Sequence, residues 1–113
     1  MDSRNGSIRR YSPQAFVNQP QFHPKARAEF ERSALFYDGK FPGLGMEFAT
    51  EVQTAVAFAY AHPEAGAPVA DGFRRLMVRR FPYSVVYRVQ GERLYLIAVA
   101  HQRRRPNYWN DRT

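Results

Sequence analysis

Apolar residues along this chain change period once, and the change divides it into a helical half and a strand half. Ala26, Phe30, Ala34, Tyr37 and Phe41 recur at helical spacing while Arg27, Glu31 and Arg32 turn away, which predicts an amphipathic helix from Pro24 to about Tyr37, stopped at Asp38-Gly39. Its start is marked by His23-Pro24, since proline is tolerated where a helix has no use for the first N–H. After the loop Phe41-Pro42-Gly43-Leu44-Gly45, Phe48, Val52, Ala55, Val56 and Ala59 give a second helix ending at His62-Pro63. The two are expected to form an antiparallel hairpin.

Beyond the Pro/Gly/Ala-rich loop of residues 63–72, the period becomes two. Strands are predicted near Phe73–Arg80, Tyr83–Val89 and Arg93–His101, with Gln90-Gly91 as the tight turn of the last hairpin. A further strand between Ala15 and Phe22 is limited to a sheet edge by Pro20. If Val89 faces Glu92, then Tyr83, Val85, Tyr87, Leu94, Leu96 and Ala98 share one side of the hairpin. Val86, Tyr95, Ile97, Val99 and His101 share the other. Both sides are apolar, whereas an antiparallel sheet ordinarily wets one. The helices can cover a single face, so the second needs the N-terminal arm, another copy of the chain or a different protein.

The expected fold is therefore α+β, a helical hairpin on an antiparallel sheet in the order β-α-α-β-β-β. Residues 1–13 are polar and basic and are expected as a disordered arm, with residues 14–113 as a single domain. The arm reads either as a nucleic-acid contact through Arg4, Arg9 and Arg10 or as an idle tail.

Charge sharpens this picture. The chain carries +7 overall, but Phe73 to Thr113 holds ten arginines against Glu92 and Asp111, a net of +8, while residues 1–72 balance to −1. A field gathered on the strand half is that of a surface for nucleic acid or an acidic protein segment. With no cysteine there is no disulfide or thiolate zinc site, and a reducing cytoplasm is the natural setting. His23, His62 and His101 lack ligand spacing, no run nears the roughly 20 apolar residues of a membrane span, and no signal peptide is visible, so neither metal, cofactor nor membrane is expected.

Two groups could carry chemistry. Arg75, Met77 and Arg79 alternate to one side of a strand, where guanidiniums could clamp phosphate or could simply discourage sheet aggregation. His101, with Arg103, Arg104, Arg105 and Tyr108 close behind, could serve acid/base attack of an RNA 2′-hydroxyl, or could be a structural or partner-binding histidine. Tyr108 and Trp109 either pack the C-terminus on the sheet or stack on bases.

Phe22-His23-Pro24-Lys25-Ala26, Phe41-Pro42-Gly43-Leu44-Gly45, Glu51-Val52, His62-Pro63, Arg74-Arg75, Arg80-Phe81-Pro82-Tyr83, Val86-Tyr87 and His101 to Trp109, in that order, resemble the RelE/ParE toxins of type II toxin–antitoxin systems over about Phe16 to Arg112. The resemblance implies a toxin that arrests growth until a cognate antitoxin binds it in a hetero-oligomer, signalled by a small acidic protein encoded beside the gene. It implies a target that is either DNA gyrase, as in ParE-like members, or mRNA on the ribosome, as in RelE-like nucleases. The closing pattern of His101, Arg103, Arg104, Pro106 and Trp109, and the absence of lysine after Phe73, look closer to the ParE-like branch. On the nuclease alternative Arg75, Arg79, His101 and Tyr108 would be catalytic. Target or antitoxin contacts would fall on Arg75, Arg79, Tyr87, Tyr95, Ile97, Arg103, Arg104, Arg105 and Trp109.

Overall fold

The computed structural model describes residues 20–112; the arm of residues 1–13 and most of the strand expected from Ala15 lie outside the described residues. The chain runs through β1 (Gln21–Phe22), α1 (Pro24–Lys40), α2 (Leu44–Ala61), β2 (Ala67–Pro68), a 3₁₀ turn (Ala70–Gly72), β3 (Arg74–Met77), β4 (Tyr83–Gln90) and β5 (Arg93–His101). The strands form one sheet in the order β1-β5-β4-β3-β2, with both helices on one side. It is mixed, because β1 lies parallel to β5 through Gln21↔Tyr95 and Phe22↔Leu96.

His23 caps α1 as its position suggests, its Nδ1 accepting the Lys25 amide at 3.0 Å, with Pro24 in the first turn. Asp38-Gly39, however, does not stop this helix. Asp38 stays inside α1 and spends its carboxylate on the next element, accepting the Gly43 amide at 3.0 Å and the Gly45 amide at 3.1 Å. Gly43, at φ 90°, begins α2 and has no side chain to cap it, so the preceding helix supplies the cap.

The interlayer core is aromatic. Phe48 is fully buried, and the rings of Phe30, Tyr37, Phe81 and Tyr83 surround it at centroid distances of 4.9 to 6.2 Å. Val52, Val56, Val85, Tyr87, Leu94 and Leu96 continue this core. The Tyr87 hydroxyl donates to the Pro63 carbonyl at 2.9 Å and accepts the Gly66 amide at 3.0 Å. A side chain on Gly66 would collide with that hydroxyl, so glycine is what lets the loop close over it.

The final hairpin departs from the expected register in two ways. Its turn is Gly91-Glu92, with Gln90 facing Arg93. Between Val86↔Ala98 and Tyr87↔Leu96 the register then shifts by one, a β-bulge that leaves Ile97 as the extra residue on β5. The bulge reverses the alternation, so that Val99 packs on the helix side and Ala98 on the other, the opposite of the simple pattern. His101 is reversed likewise and lies 5.0 Å from the Tyr83 ring. On the preceding strand, β3 ends at Met77 rather than Arg80, since Arg80 takes φ 71° as the chain turns.

The second face is covered partly by the chain itself. Phe73, Val86, Ile97, Ala98, Ala100 and Trp109 form a second buried cluster, with Val69, Tyr95 and Tyr108 packed against it. The C-terminal turns thus do part of what the sequence alone assigned to the arm, a copy or another protein.

Candidate functional site

Past β5 the chain makes a series of turns and doubles back, and this reversal builds a groove of about 500 Å³ on the second face of the sheet. Arg75, Met77, Ser84 and Ala100 line it from the strands and Arg104, Pro106, Tyr108 and Trp109 from the tail, with His101 at its border, where β5 ends and the imidazole ring turns towards Tyr83. Arg75, His101, Arg104, Tyr108 and Trp109, five of the residues marked by sequence, are therefore brought together. Arg79, Arg103 and Arg105 are exposed and do not line the groove. Tyr87 and Ile97 are buried in the two cores of the free chain and lie apart from the groove. Trp109 is likewise buried, so its larger part is to pin the tail, while Tyr95 stays partly accessible.

A buried ion pair holds the tail in place. Glu29, on the sheet-facing side of α1, receives Arg112 in a two-pronged contact, Nη1 to Oε1 at 3.0 Å and Nη2 to Oε2 at 2.8 Å. The same carboxylate accepts the Val99 amide at 3.0 Å and the Tyr108 hydroxyl at 2.8 Å. Arg112 also donates to the Ile97 carbonyl at 2.9 Å, and Arg104 stacks on the Tyr108 ring with its guanidinium carbon 3.8 Å from the centroid. Sequence reasoning missed this cluster. One signal was present: Glu29 falls three residues after Ala26 on the apolar stripe, and a charge on an inward stripe calls for a buried partner. Nothing local identifies that partner as Arg112.

The network sets the state of Tyr108. Burial first, then the hydrogen bond and charge of Glu29, push the Tyr108 phenol well above its ordinary range. The unfolded chain releases this proton near pH 10 and the folded chain only above that. The Tyr108 contribution is thus complete below pH 10 and is lost as pH rises towards the folded value. A pH series of urea unfolding should show Tyr108→Phe less sensitive than the parent chain above about pH 10. His101 accepts the Arg103 amide on Nδ1 at 3.0 Å, so in its neutral form the ring proton lies on Nε2, while the ring lies against Tyr83. Among the described residues no cluster of three or more His, Cys, Asp or Glu could hold a metal ion.

The groove therefore combines guanidiniums with an apolar rim, and His101 stands at its border. A family model described as the ParE toxin of the type II toxin-antitoxin system parDE matches residues 21–106. A solved structure titled "Chromosomal ParDE TA system from P. aeruginosa" shares the fold with a TM-score of 0.64 at 21% identity, over 74% of this chain and 97% of that one. No curated protein matches the chain.

Proposed function

The chain belongs to the ParE toxin family of type II toxin–antitoxin systems, and from that premise we propose that it arrests growth by binding and poisoning DNA gyrase until a cognate antitoxin neutralises it in a hetero-oligomer. The observation that carries this reading over mRNA cleavage is the state of the two residues a nuclease would need. Tyr108 donates to Glu29 and His101 accepts the Arg103 amide, so general acid/base catalysis would first have to break these contacts. What remains suits a protein surface: Arg75 and Arg104 as donors, with Met77, Pro106 and the edge of Val69 as apolar contacts. Such a protein acts in the cytoplasm, where gyrase works.

The test places purified chain in a gyrase supercoiling assay and in a ribosome-dependent mRNA cleavage assay. Inhibition of gyrase without cleavage is expected, and His101→Gln should leave the mRNA profile unchanged. Robust cleavage by the parent chain, reduced roughly 10²- to 10⁴-fold in His101→Gln with the fold intact, would overturn gyrase in favour of the ribosome.

A further inference from the structure

On the sheet face away from the helices, a second polar feature stands apart from the groove. Phe73, Arg88 and Tyr95 form one row across the strands: Arg88 pairs with Tyr95, and the Arg74↔Tyr87 pairing places Phe73 across from Arg88. The Arg88 guanidinium carbon lies 5.9 Å from each ring centroid, held between two aromatic side chains. Its Nε is buried and, among the described residues, has no hydrogen-bond partner. A guanidinium donor enclosed without an acceptor is costly, so Arg88 is held here at a cost to the free chain's stability. Hollows open on either side of it, one bordered by Gln21, His23 and Gln90, the other by Glu64 and Arg74.

We propose that Arg88 is a carboxylate receptor, taking an Asp or Glu side chain from an acidic segment of the cognate antitoxin laid across this face. The occupant follows from charge and shape. Arg88 is partly exposed and borders both hollows, and a guanidinium edge reached from there is the planar donor that a carboxylate matches. The partly accessible Tyr95 ring can receive an apolar neighbour of that acid. The +8 balance from Phe73 onward, with Glu92 and Asp111 its only acids, favours an anionic segment over a neutral one. This inference rests on the antitoxin reading above and adds to it a defined anchor outside the groove.

The experiment titrates the chain by calorimetry with the purified product of the small reading frame beside its gene. Arg88→Met keeps the stem between Phe73 and Tyr95 and removes the donors. It should melt at or above the parent temperature, because an unsatisfied donor is gone, and bind at least about 30-fold more weakly. Arg88→Lys, which keeps the charge but loses the fork, should also weaken binding and decides the matter if the Met variant folds poorly. If the parent chain binds no such product, the antitoxin reading itself fails. If the parent binds and both variants bind within about twofold of it, the antitoxin reading stands and the Arg88 receptor is overturned. Light scattering gives the remaining outcome: a dimer of the free chain that Arg88→Met dissolves would make a second copy the occupant and overturn the proposal.

Discussion

Glu29→Ala should lower the stability of this domain by about 3 to 5 kcal/mol, because it leaves the buried Arg112 guanidinium without its counter-charge. That is a large share of the roughly 5 to 15 kcal/mol that holds a domain together. Three other groups lose an acceptor at once: the Val99 amide, the Tyr108 hydroxyl and the weaker contact of Arg104 at 4.0 Å. Chemical denaturation with fluorescence detection should show the transition at much lower urea, with Trp109 reporting release of the tail. An apolar triple variant, Glu29→Leu with Tyr108→Phe and Arg112→Met, should recover only part of the loss. It removes the charges together, which is often close to neutral, but strands the Val99 N–H and the Ile97 carbonyl, both of which the ion pair satisfies. Full recovery would show that these two backbone groups find water instead.

Phe48→Ala should cost about as much, some 3 to 5 kcal/mol, by a different route. Phe48 is fully enclosed by aromatic rings from α1, the β3–β4 turn and β4, and these cannot collapse together into the space its side chain leaves. A fall in melting temperature on the order of ten degrees or more is expected. A melting temperature unchanged within a degree or two would mean that α2 does not bury this residue. Phe48→Leu, which keeps much of the volume, should lie well between the two.

These two residues also mark what could and could not be read from the chain. Phe48 was legible because its neighbours at Val52, Ala55, Val56 and Ala59 repeat at the helical period, and the period belongs to the element itself. The same reasoning found both helices and the three later strands. It misjudged Asp38-Gly39 because a helix-ending residue type was serving a different helix, an assignment made by tertiary contact. It misplaced Ala98, Val99 and His101 because one extra residue at Ile97 reverses every side chain after it, and strict alternation carries no mark of where a bulge falls. In the candidate site, Arg75, His101, Arg104 and Tyr108, which the clustering of arginines singled out, border one groove. The surroundings of Tyr108 and Arg104 were invisible, since both contact Glu29, which for Tyr108 lies 79 positions away.

The position of that ion pair has a bearing on self-association. β1 protects only the first part of the outer side of β5, pairing at Tyr95 and Leu96, and the strand beyond would present open backbone groups to any passing chain. Glu29 and Arg112 occupy two of those groups, the Val99 amide and the Ile97 carbonyl, and so stand in for a missing neighbour strand. A chain that loses Glu29 therefore gains a sticky edge at the moment it loses stability. At high concentration its unfolding would end in strand-to-strand aggregates, whereas Phe48→Ala, with the edge still sealed, would refold on removal of denaturant.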